Sequence, residues 1–165
     1  MEMNDDDRKK ALALLAEGAA SGPAFFEIAA RALEVGLGYR WTGVMAYDRA
    51  TDRISHLSFR EAGRNREPGN HNVSESPCAP LYRGESAGAH IFIGEGLVER
   101  FPLLHGLRAM GAVCYRGEVF LGADGDLAGH IFATDDKPHR DRPETRAFFN
   151  LVARRVGTEY TRWRA

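Results

Sequence analysis

The 165-residue chain is most informative at first in what it lacks. It has no excess of basic charge: 22 Lys and Arg stand against 23 Asp and Glu, a formal net charge of -1. That balance gives no electrostatic footprint for nucleic acid. No apolar run approaches the roughly 18 residues of a membrane span, and the start, "MEMNDDDRKK", is charged and has no apolar stretch of a signal peptide. Cysteine is scarce. Two residues, Cys78 and Cys114, cannot make a disulfide framework. Internal repeats and low-complexity linkers are missing too. The expectation is a protein of the cytoplasm.

What is present is ordinary for one globular domain. Hydrophobic residues at 44% and charged residues at 27% lie far from the composition of disordered chains. A chain of this length buries a core without metals or disulfides. Residues 1–165 are therefore read as a single domain, with 1–10 expected to be disordered or frayed.

Helical spacing marks both ends. "DRKKALALLAEGAA" places Leu12, Leu15 and Ala19 on one face. In "SGPAFFEIAARALEVGLG", Pro23 suits a first helical position and Gly36 or Gly38 an exit. From Arg142 a last helix carries Phe148, Val152, Val156 and Tyr160 as one stripe. Between them the period changes to strands. "WTGVMAYDRATDRISHLSFRE" reads as a hairpin turning at Asp48–Asp52, and the Asp124–Gly125 pair marks another between "AVCYRGEVFL" and "LAGHIFAT". A further short strand is "AHIFI". Residues 62–75 read as a long polar loop, and "GLVERFPLLHGLRAMG" as helical pieces broken at Pro102. The order predicts an α+β layered fold rather than alternating βαβ units.

The stretch "SPC" with "LYRG", then "ERFP", then "YRGEVFLGADGDLAGHIFATDDKP", resembles the second half of a GAF domain of the kind found in bacterial sensor and signalling proteins. Tyr115, Gly117, Gly125, Gly129, Asp135 and Pro138 fall at that family's positions, while Glu118–Val119 replaces a usual Val-Pro and Phe120 a leucine. The flanking helices extend the likeness over nearly the whole chain. The resemblance implies a central antiparallel sheet of about six strands, with N- and C-terminal helices on one face. A helical insertion would cover a pocket on the other. It implies a sensory or regulatory module that binds a small molecule, is not an enzyme, and signals through a partner protein if the chain is complete rather than a fragment.

Site candidates follow from that layout: His90 and Phe92 from "AHIFI", Cys114 or Tyr115, His130 and Phe132, with Phe101 from the lid. Mostly apolar walls with a few polar groups suit a small organic ligand; its identity, and any cofactor, is unknown from the sequence. The same aromatics could instead fill the space, leaving a ligand-free dimerisation scaffold. A homodimer is expected through Phe148, Val152, Val156 and Tyr160 on the terminal helix.

Cys78 opens a third reading, a thiol-based redox sensor or reductase using Cys78 and Cys114. Ser76 and Pro77 suit an N-cap and first helical position, where unpaired N–H groups lower a thiol pKa. Pro80 argues for a later helix start, and buried packing is the commoner fate of a free cysteine. A Cys78–Cys114 disulfide stays open at this stage, although a reducing compartment disfavours it. Other chemistries lack their residues. The six histidines, His56, His71, His90, His105, His130 and His139, show no close metal-ligand spacing. A heme on His90 or His130 competes with the ordinary strand histidine paired to a neighbour. The Cys-His pair that carries bilins in this family is absent, as are its cyclic-nucleotide pattern and the three-cysteine cluster of its methionine sulfoxide reductases. There is no Gly-x-Ser-x-Gly elbow or phosphate loop with its lysine.

Overall fold

The computed structural model describes residues 3–17, 21–86 and 88–165. Ala19, part of the first helical pattern, lies outside them. Helix α1 runs Asp5–Glu17 and α2 runs Pro23–Leu37. The first of these corrects the reading of residues 1–10 as frayed: from Asp5 onward they are helical. Asp5, Asp6 and Asp7 fill the first turn, where negative charge favours a helix, and Asn4 caps it by accepting the Asp7 N–H at 2.8 Å. In α2, Pro23 occupies the first turn and Gly38 closes the helix at φ 72°, its N–H donating to the Glu34 carbonyl at 2.8 Å. Glycine enters that left-handed conformation without the Cβ penalty.

The strands are β1 (Trp41–Asp48), β2 (Arg53–Glu61), β3 (Arg64–Asn65), β4 (Asn70–Asn72), β5 (His90–Ile93), β6 (Cys114–Leu121) and β7 (Leu127–Asp135). They form one antiparallel sheet in the order β3-β2-β1-β7-β6-β5, with β4 pairing to β2. Short helices α3 (Ala79–Tyr82), α4 (Leu97–Arg100) and α5 (His105–Met110) lie in the connections, and α6 (Pro143–Arg164) ends the chain. The α+β, GAF-like arrangement read from the sequence is the observed one. The polar segment 62–75 differs in detail. It carries β3, β4 and a 3-10 turn at Val73–Glu75, because the edge of β2 offers ladder partners to otherwise featureless polar residues.

Two cores sit on opposite faces of the sheet. On one, α1, α2 and α6 pack Phe26, Leu33, Phe149, Val152 and Val156 onto Val44, Phe120 and Ile131. On the other, α3 and the α4–α5 insertion cover Met45, Ile54, Tyr115 and Phe132. Phe148, Val152 and Val156 are 4%, 0% and 0% exposed, consumed by the first core. The structure therefore overturns their role as a dimer surface. Tyr160 also packs inward, its ring 5.5 Å from Phe120 and 6.2 Å from Phe26. A stripe at i, i+4 intervals marks a buried face, and here the sheet itself is what buries it.

Candidate functional site

The register across the sheet builds a flat floor on the insertion side. Ile91 pairs with Gly117, Gly117 with Phe132, Phe132 with Gly43, and Gly43 with Phe59. Residues directly opposite one another share a face, so this row alternates large side chains with glycines. A Cβ on Gly43 would meet the Phe132 ring at 2.5 Å, and one on Gly117 would strike Cys78 Sγ. The glycines let Phe132 and Cys78 lie down on the backbone.

A β-bulge shapes the next row. Val44 opposes Ser58 but Met45 opposes His56, leaving Leu57 extra in β2. Ile54 and His56 thus face the same side as Phe59 despite their odd spacing, and His56 stacks on Phe59 at 4.3 Å and 3°. Leu57 packs into the helix-side core.

Above this floor is a cavity of about 350 Å³. Met45, Ile54, His56, Phe59, His130 and Phe132 line it from the sheet. Arg66, His71, Glu75, Ser76 and Pro77 close one side, and Leu107 and Met110 of α5 form the roof. Burial, with a smaller contribution from charge on His71, lowers the pKa of His56 to about 4. Burial lowers that of His130 to about 3. Both rings are neutral at physiological pH. His130 Nδ1 sits 2.8 Å from the Tyr82 hydroxyl, and His56 Nδ1 accepts the Gly69 N–H at 2.8 Å.

Of the residues chosen from the sequence, Tyr115, His130 and Phe132 meet in this cavity. Phe101 packs on the same core but does not line the cavity. His90, Phe92 and Cys114 lie on the opposite face. His90 sits edge-on to Phe149 of α6 at 5.6 Å, and the Arg116 guanidinium stacks over Phe92 at 4.4 Å. Arg116 Nη1 donates to His90 Nε2 at 2.9 Å, leaving Nδ1 to donate to Glu118 Oε1 at 2.7 Å. Arg116 also pairs with Asp141, and Asn150 donates to Glu118 at 2.6 Å. This network ties α6 to the sheet.

Sequence reading missed His56, Phe59, Arg66 and His71 as pocket residues. The alternation of Ile54 with His56 signalled an inward face; nothing in the segment 62–75 marked a pocket wall.

Both cysteines are fully buried and unpaired. Cys78 belongs to the insertion-side core and Cys114 to the helix-side core, so the sheet separates their thiols and a disulfide between them is ruled out. Cys78 is the N-cap of α3, a helix of only four residues, and its N–H donates to Ser76 Oγ at 3.0 Å. Its Sγ lies 3.3 Å from the Tyr115 hydroxyl. Burial pushes both thiols up to about 12, far from the reactive range. Among the described residues no group of three His, Cys, Asp or Glu could hold a metal ion, and no helix is long and apolar enough to cross a membrane.

Solved structures share the fold. The chromophore-binding domain of a bacteriophytochrome from R. palustris superposes with a TM-score of 0.70 at 14% identity, covering 94% of this chain and 59% of that one. The GAF domain of an Acinetobacter phosphoenolpyruvate-protein phosphotransferase gives 0.72 at 9% identity, covering 96% and 93%. The chromophore-binding domain of a Stigmatella aurantiaca phytochrome gives 0.68 at 15% identity, covering 97% and 59%. This chain thus spans about three fifths of those chromophore-binding domains and nearly all of the phosphotransferase domain. No protein-family model and no curated protein matches the sequence. The fold is that of GAF domains.

Proposed function

We propose that the chain is a sensory or regulatory GAF module that binds a small organic molecule in the cavity over the sheet and passes its occupancy to a partner protein. The observation that carries this reading is the cavity itself. It is about 350 Å³, walled by aromatic and aliphatic side chains with a few polar groups, within the range of small-molecule sites. That two structural neighbours are named as chromophore-binding domains supports a fold that takes a small molecule. The module works without bond-making chemistry, in the cytoplasm, where two unpaired thiols stay reduced.

The open cavity also weighs against a ligand-free scaffold, whose aromatics would fill that space. The redox reading loses its geometry, with both thiols buried on opposite faces and protonated. Neither thiol should react with iodoacetamide at neutral pH until the protein unfolds. Pairing of two copies remains part of the proposal, through outward residues of α6 such as Leu151, 42% exposed, rather than through its buried stripe.

A thermal-shift screen tests the reading, since a compound that binds only the native state raises Tm by mass action. Leu107→Trp, which fills the cavity from α5, should keep the fold and abolish the shift. A shift that survives this variant would place the ligand elsewhere.

A further inference from the structure

Three histidines, His56, His71 and His130, line the pocket, and a fixed partner occupies Nδ1 of His56 and of His130. At His56 the partner is the backbone N–H of Gly69. A backbone amide can only donate, so Nδ1 carries no proton and the neutral ring holds it on Nε2. At His130 the partner is the Tyr82 hydroxyl. Burial raises the Tyr82 pKa well above its ordinary value, so the phenol keeps its proton. Among the described residues the imidazole is the acceptor that this O–H reaches. A buried hydroxyl hydrogen left without an acceptor is penalised, so Tyr82 donates and His130 also keeps its proton on Nε2. Each ring then keeps one N–H, on Nε2, that has no protein partner among the described residues, and both rings line the cavity.

Most other polar groups on the wall have protein partners, Ser76 Oγ accepting the Cys78 N–H, while His71 sits edge-on to the His56 ring. Tyr115 pairs with Cys78, Glu75 accepts the Asn72 N–H, and Arg66 pairs with Glu61 while its guanidinium covers the face of Phe59. Below them the floor is flat, because glycines separate Phe132 from its neighbours in the row.

We infer that the pocket selects a planar, uncharged ring compound whose hydrogen-bond acceptors meet Nε2–H of His56 and of His130, in preference to an analogue that presents donors to those two rings. This specificity rests on the cavity being a ligand site. Its physical basis is the cost of mismatch. An acceptor ring pairs both N–H groups, whereas a donor ring sets N–H against N–H and strands buried donors on both sides.

The test uses three probes on one two-ring frame: 1,5-naphthyridine with two acceptors, 1,5-diaminonaphthalene with donors, and naphthalene as a shape control. Histidine-ring ¹⁵N spectra of the free protein should show the Nε2–H tautomer at both His56 and His130. Naphthyridine should bind at least about tenfold more tightly than the other two, one good hydrogen bond's worth of discrimination, and should move both Nε2 signals. Tyr82→Phe, which removes the partner at His130 Nδ1, should narrow that preference and shift the His130 tautomer balance. Equal affinity for the three probes, or an Nδ1–H tautomer at either ring, overturns the inference and leaves the pocket reading standing. Binding of none of the three, with unmoved spectra, overturns the pocket reading and the inference with it.

Discussion

The tripeptide His-Ile-Phe occurs twice, at 90–92 in β5 and at 130–132 in β7, and the two copies do opposite things. Both strands pair with β6, one on each side. Glu118 lies opposite His90 on β5 but opposite Ile131 on β7. That offset of one residue turns the second copy over. His90 and Phe92 point to the helices, into an ion-paired network with Arg116 and Glu118. His130 and Phe132 point to the cavity, where the imidazole is neutral and hydrogen-bonded to Tyr82. Identical local sequence therefore carries no functional meaning until the register is known.

The contrast can be broken by substitution. The largest effect is expected at Arg116→Ala, which strips a fully buried guanidinium from His90 and Asp141. Losing this buried group's charge-assisted hydrogen bonds to His90 and to the exposed Asp141 costs about 1.5–3 kcal/mol each, read from urea unfolding, and naphthyridine affinity of the folded fraction should hold within about twofold. A large loss of probe binding would mean that the two faces are not independent.

Acidification should act next, and through the cavity face. His56 and His130 have folded-state pKa values of about 4 and about 3, below the ordinary 6.5. Between those values and 6.5 the unfolded chain binds more protons, so stability is full above about pH 6.5 and falls as pH drops toward 3. At pH 5 each ring should cost about 2 kcal/mol relative to pH 7.5. His130→Phe should remove its share of that slope, and an unchanged slope would contradict the assignment.

A matched pair of substitutions separates the two copies further. Phe132→Leu and Phe92→Leu should each cost about 1–2 kcal/mol of stability, but only Phe132→Leu should weaken naphthyridine binding. Smallest is Tyr82→Phe, about 1 kcal/mol for one hydrogen bond.

The two faces of the sheet also differ in how far the sequence made them legible. Helix α2 carried its own punctuation in Pro23 and Gly38, and the β6–β7 hairpin carried its own in Asp124–Gly125, so local chemistry sufficed for the layered fold. His130, Phe132 and Tyr115 were recoverable because the resemblance located their strands. His90, Phe92 and Cys114 were misplaced because alternation gives two faces without saying which is which. The homodimer stripe failed for a related reason: the spacing of Phe148, Val152 and Val156 identifies a buried face but not what buries it. Arg66 and His71 were beyond sequence reading. They sit in a polar segment whose place over the cavity depends on long-range pairing of β3 and β4 with β2.

Both the binding and the specificity stand on a small ligand occupying the cavity under α5. Native mass spectrometry of gently purified protein, with an absorbance spectrum of the same sample, tests it most directly. The expected result is a non-covalent excess mass that unfolding releases and that Leu107→Trp lacks. A mass-exact protein, whose Tm no planar acceptor compound in a broad screen can raise, would contradict it.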